Sequence, residues 1–156
     1  WLMPVAALLS FWSTKARRSV KTIGMAGKPE TNFRLKIERK LPRALHREKM
    51  NNPYRGGTAD SWYSGRGGDL WVEYKFLPRV PQRGIITPDR IDLSHLQRQW
   101  LRGRFEEGRN VAVIVGTPSG GIIMRDLEWE EEIPVDQFIR RTVTISDLAN
   151  WIMQQT

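Results

Sequence analysis

Asp60, Glu73 and Lys75 stand at spacings that bring two carboxylates and an amine to one place. The runs ADSWYSG (59–65) and DLWVEYKFL (69–77) are rich in aromatic and β-branched residues. Arg66-Gly67-Gly68 separates them and accepts positive φ, so the pair reads as a β-hairpin. A turn centred between Arg66 and Gly67 sets Asp60 directly across from Glu73, and opposed Cβ atoms on neighbouring strands lie ~4.5–5.5 Å apart. Two acids that close repel each other unless a cation sits between them. Lys75, two residues beyond Glu73, projects from the same face, and the carbonyl of Tyr74 between them offers a further hard oxygen. This is the set that metal-assisted phosphodiester hydrolysis requires: ligands for a Lewis acid that activates water, and an ammonium to orient that water or offset the growing charge on phosphorus.

Composition narrows the choice of metal. The chain has no cysteine and only two histidines, His46 and His95, so thiolate zinc sites, cysteine nucleophiles and histidine-rich centres are excluded or disfavoured. Oxygen donors alone point to Mg2+ or Mn2+. Asp69 is the other candidate for the first acid, but it lies at the edge of the turn and shares a strand with Glu73 without crossing to it. Trp62 and Trp71 flank the site and read either as cross-strand packing or as platforms for bases.

The surrounding pattern supplies the elements that must hold this hairpin. Phe33, Ile37 and Leu41 recur every fourth residue and predict a helix from about Glu30 to His46, which Pro42 kinks or ends near Leu41. On that helix Glu30 lies near the centre of the apolar stripe and so faces the sheet, whereas Glu38 faces sideways. Residues 78–92 read as a long loop, and LSHLQRQWLRGRFEEG as a second helix capped by Ser94 and stopped at Gly108. VAVIVGT is a continuous apolar run, as in a strand covered on both faces, and GGIIMRD pairs with it. Six carboxylates crowd residues 126–136, as a solvated face or a contact for the basic arm of a second subunit, and ISDLANWIMQQ predicts a last helix capped by Ser146 or Asp147. Helix, hairpin, helix, strand pair and helix in that order give an α/β fold with a mixed sheet.

The chain of 156 residues has a globular composition, 40% hydrophobic, and fits one domain over 29–156. Residues 1–28 read as an apolar and basic arm, or, up to Met25, as leader sequence. The opening WLMPVAALLSFW is too short to span a bilayer, and its positive charges follow the apolar stretch, unlike a secretory signal. Between Lys15 and Lys49 twelve Lys or Arg stand against three Glu, so this block accounts for the net charge of +8. Such a block suits a polyphosphate partner or a solvated helix face. The candidate phosphate contacts are Arg34, Arg39, Lys40, Arg43, Lys49, Arg55, Arg66 and Arg79.

With these residues in order, TADSWYSGRGGDLWVEYKF resembles the signature of the PD-(D/E)XK nuclease superfamily, an acid followed by Glu-X-Lys on a hairpin. Within it the chain is most similar to small phage-type and homing-type endonucleases and to Holliday-junction-resolvase and VRR-nuclease members. An acid opening the first helix (Glu30) and the LSHLQRQWL helix with Gln97 match too, and the resemblance spans about Glu30 to Asp126. It departs where the proline before the acid is Ala59. The resemblance implies a restriction-endonuclease-like core, a mixed β-sheet with a catalytic hairpin flanked by helices. It also implies a magnesium-dependent DNA endonuclease, homing-type first and junction-resolving second, working as a dimer or higher oligomer in a bacterial or phage-infected cytoplasm. Glu30 would be an extra metal-side acid, its other reading being a first-turn glutamate favoured by the helix dipole. Gln97 would support the site or touch phosphate, its other reading being a plain exposed glutamine. RNA stands beside DNA as substrate because the hairpin chemistry does not read the sugar. A non-catalytic nucleic-acid-binding protein on the same scaffold is the reading from a different class.

Overall fold

The structure, a computed structural model, describes residues 27–51 and 56–156. The expectations for Arg55 and for the arm up to residue 26 lie outside the described residues. The first helix, α1 (Pro29–Glu38), begins with a proline whose missing N–H costs nothing at that position and carries Glu30 in its first turn. It ends earlier than the periodicity predicts. Lys40 and Leu41 donate to the Ile37 and Glu38 carbonyls in a tightened last turn, and Pro42, which disfavours a helical Leu41, forbids continuation. The basic residues that follow form not helix but an edge strand, β1 (His46–Lys49), every residue of which is exposed.

The hairpin follows as β2 (Ser61–Gly65) and β3 (Gly68–Phe76), joined by Arg66 and Gly67 in the expected register: Ser61 opposes Val72 and Trp62 opposes Trp71. Next come β4 (Ile85–Ile86), α2 (His95–Glu106), β5 (Val111–Thr117) and β6 (Gly120–Met124). The chain closes with β7 (Ile133–Pro134), α3 (Val135–Arg141) and α4 (Ile145–Gln155). The main sheet has the order β1-β2-β3-β5-β6. Its β3–β5 pair is parallel and the rest antiparallel, so the sheet is mixed, as the element order predicts.

Helices cover both faces. Leu70, Val72 and Tyr74 pack with Phe33 and Ile37 of α1 and Leu148 and Ile152 of α4. Val113 and Val115 face the other way, onto Leu93, Leu101, Trp129 and Phe138. Every residue of β5 is buried, which explains its unbroken apolar run. Gly116 lets α1 approach β5: a Cβ there would fall 2.6 Å from the Phe33 ring. Gly116→Ala is therefore expected to lower stability by about 1–3 kcal/mol through overpacking, read as a shift in the urea midpoint.

Residues 78–92 are not wholly loop, since Ile85 and Ile86 pair with β7. The last helix is capped by Thr144, not by Ser146 or Asp147. Thr144 accepts from the Asp147 N–H, and Asp147 accepts from the Thr144 N–H in return. The acidic run finds partners within the chain, with Arg102 paired to Glu130 and Arg141 to Glu128 at 2.8 Å. Among the described residues no helix is long and apolar enough to cross a membrane.

Candidate active site

The site lies where β2 begins and β3 continues past it. Leu70, Val72 and Tyr74 fill the core beneath α1, so strand alternation turns Glu73 and Lys75 to the opposite face. Both are nevertheless buried, at 1% and 5% exposure. The Lys75 ammonium lies 3.2 Å from Glu73 Oε1. On the same oxygen the Gln97 side-chain amide donates a 2.5 Å bond. The other oxygen, Oε2, is buried and has no hydrogen-bond partner among the described residues.

Gln97 is positioned by its own helix start. Ser94 caps α2 by accepting from the Gln97 N–H at 3.2 Å, while the Gln97 side-chain carbonyl accepts from the Ser94 N–H at 3.0 Å. One side chain thus closes the cap and grips Glu73. The loop before Asp60 passes directly over α2 at Gly57, where φ is +94° and a Cβ would fall 2.4 Å from the Leu96 carbonyl. Only glycine allows both the close approach and the left-handed backbone.

Asp60 sits one residue before the first hairpin pair, and its carboxylate accepts from the Tyr74 N–H at 3.0 Å. In an extended strand the N–H and C=O of one residue face the same edge, so the Tyr74 carbonyl points to the edge where Asp60 lies. Burial pushes the Glu73 carboxyl up to about 8, and after burial the charge of Asp60 raises it most, against Lys75, which lowers it. Burial likewise raises Glu30, whose facing charges include Lys75, Asp60 and Asp92. A cavity of about 390 Å³ opens beside these groups, lined by Glu30, Asp60 and Tyr74 with Lys28, Arg34 and Lys49.

The structure thus brings Glu30, Asp60, Glu73, Tyr74, Lys75 and Gln97 together. Glu38, the alternative to Glu30, instead holds Arg34 at 2.7 Å and accepts from the Tyr63 hydroxyl at 3.1 Å. Asp69, the alternative to Asp60, accepts from Ser64 at the far end of the hairpin. Arg34 reaches the cavity but is 8% exposed and committed to Glu38. Lys49 is exposed at the cavity rim, and Arg39, Lys40, Arg43 and Arg79 are exposed. Arg66, at the hairpin tip, is seven residues from Glu73, about 23 Å along an extended strand, and so does not serve this centre. Lys28 and Asp92 are near the acids without having been singled out by the sequence. Their placement depends on how α1 and the loop before α2 dock, which no local pattern encodes.

Among the described residues no three His, Asp or Glu side chains converge into a ready-made metal cage. The donor set still fits a hard divalent cation. A buried carboxylate oxygen without a partner among the described residues, a second carboxylate whose charge bears on it and a backbone carbonyl are what magnesium uses, with water completing the shell. Gln97→Ala is expected to weaken manganese affinity by about 10- to 100-fold, measured by calorimetry, because the grip on Glu73 is lost.

The sequence matches no protein-family profile and no curated protein. Among solved structures the chain is similar to Hjc, a Holliday junction resolvase of the archaeal hyperthermophile Archaeoglobus fulgidus. The two share 12% identity with a TM-score of 0.43 over 77% of this chain and 99% of that one.

Proposed function

We propose that this protein is a divalent-metal-dependent nuclease that hydrolyses DNA phosphodiester bonds at Asp60, Glu73 and Lys75. The observation that carries the reading is the buried Glu73 carboxylate. One oxygen is held by Gln97 and Lys75, the other has no partner among the described residues, and the Asp60 charge bears on it from across the hairpin. Such an arrangement is costly to bury and makes sense as a binding site for positive charge.

A magnesium or manganese ion at Asp60, Glu73 and the Tyr74 carbonyl would polarise the scissile phosphate and lower the pKa of water there. Glu30, on the cavity wall, is placed to hold a water or a second ligand position. Lys75 Nζ donates toward the attacking water or the phosphate oxygen that gains charge, and its burial keeps that charge effective. Lys28 and Lys49 on the cavity wall attract the backbone phosphates. One such centre cuts one strand, so cutting both calls for two copies related by symmetry.

The homing-type reading gains no support from the geometry, and the named neighbour is a Holliday junction resolvase. The test therefore sets a four-way junction beside linear, nicked and flapped duplexes. Cleavage of any of them with magnesium or manganese, abolished by EDTA and by Asp60→Asn, is the expected result. Salt-sensitive DNA binding without cleavage under either metal would replace this reading with that of a non-catalytic DNA-binding protein.

A further inference from the structure

Across the face that carries Glu73 and Lys75 runs a row of aromatic rings. His46 on β1 meets Trp62 on β2 edge to face at 5.2 Å between centroids, and Trp62 stacks on Trp71 of β3 at 5.9 Å. Trp71 in turn meets Trp100 of α2 at 5.5 Å with the planes 66° apart. Packing accounts for the first part of this row, because Trp62 and Trp71 are directly opposed cross-strand neighbours. At the end of the row Trp71 and Trp100 also pack on the core, yet both keep part of their rings exposed. There the tilt between Trp71 and Trp100 leaves a notch of about 310 Å³, floored by these two half-buried rings and edged by Asp69, Arg104, Arg109 and Asn110.

The chemistry of the notch is specific. Its floor is aromatic, and the Arg104 guanidinium lies over Trp100 at 5.9 Å. Its rim carries an amide and a carboxylate, which suit base edges, and two guanidiniums, which suit phosphates. A second cavity of about 290 Å³ adjoins it through the shared Arg109 and Asn110 and adds Arg125 and Asp126. Trp71 precedes Glu73 by two residues on the same face, about 7 Å along the strand.

We infer that the Trp71–Trp100 notch binds an unpaired nucleobase of the DNA strand, with Arg104 and Arg109 on its flanking phosphates. This rests on the nuclease reading and deepens it, since a base stacked inside a duplex has no free face to offer these rings. The substrate favoured is DNA with an unpaired base beside the cleavage position.

The test is binding by the metal-free protein, followed by fluorescence anisotropy, of three labelled DNAs: a blunt duplex, the same duplex with a single-stranded tail, and the tailed duplex with abasic tail positions. The tailed duplex is expected to bind tighter than both others, by about 5- to 150-fold for one stacked base. Trp100→Ala, or Trp100→Leu should the alanine variant not fold, is expected to erase that preference while leaving blunt-duplex binding intact. Arg109→Ala is expected to weaken the tailed and abasic duplexes alike. Equal binding of the tailed and abasic duplexes by the parent protein, or an undiminished preference in the folded Trp100 variant, would overturn the inference and leave the nuclease reading standing. Failure of the parent protein to bind any of the three DNAs would likewise overturn the inference, and the nuclease reading would stand or fall on the cleavage test with metal.

Discussion

Glu73→Gln is expected to reduce magnesium-dependent cleavage by about a thousandfold, while the metal-free protein stays folded and gains stability relative to the parent as pH rises. Both halves follow from one observation. The Glu73 carboxyl is pushed up to about 8 by burial, then by Asp60. A carboxyl raised in the folded state holds its proton more firmly there than in the unfolded chain. Its contribution to stability is therefore full below the ordinary value of 4.5 and is lost as pH climbs through about 8. The slope in that window is at most about 1.4 kcal/mol per pH unit. Glutamine is shaped like the neutral acid and still offers a carbonyl to Gln97 and Lys75, so denaturant melts of the variant should show the slope removed. A bound cation must displace the same proton, so manganese affinity in the parent is expected to rise about tenfold per pH unit and to level off near pH 8, with one proton released.

Lys75→Met separates chemistry from metal binding. Methionine is about as long and fills the same buried volume, but it removes the ammonium that lies 3.2 Å from Glu73 Oε1. Cleavage is expected to fall by about 10²- to 10³-fold, as on removal of one group that stabilises developing charge. Manganese affinity, compared at a pH high enough to ionise Glu73 in both proteins, is expected to hold or rise, because a positive charge beside the cation is gone. A parallel fall in both would make Lys75 a support for Glu73, not a participant in the reaction. Activity close to the parent's would remove it from the mechanism.

Much of the frame behind these results is legible in the sequence, for physical reasons. A two-residue turn with glycine on either side fixes the hairpin register, and with it which residue faces Glu73 across the strands. The unbroken apolar run 111–117 has only one comfortable place, a central strand covered on both faces, and Ser94 with Gln97 announces the start of α2. What is hidden depends on tertiary partners. His46–Lys49 is charged throughout and resembles a helix surface, yet it forms an edge strand because β2 offers it a partner, and its charges suit an exposed edge. The carboxylates of 126–136 have no basic residue among them, and Glu128 and Glu130 take their arginines from α3 and α2.

The candidate site divides along the same line. The nearness of Asp60, Glu73 and Lys75 is a matter of register and alternation, and a strand pattern encodes both. The second role of Gln97 is not so encoded. Its capping of α2 is local, but its bond to Glu73 spans twenty-four residues and requires α2 to lie against β3. The same holds for Lys28, which reaches the cavity wall only through α1's approach, whereas Lys49 on that wall is already a candidate phosphate contact in the basic block.

Manganese titration of the parent, Asp60→Asn and Glu73→Gln, followed by calorimetry above pH 8 in the absence of DNA, bears most directly on the shared-cation site. Saturable binding of a cation by the parent, lost in each variant while circular dichroism remains unchanged, is the expected result. Binding of equal strength in all three proteins, or none in the parent, would contradict it.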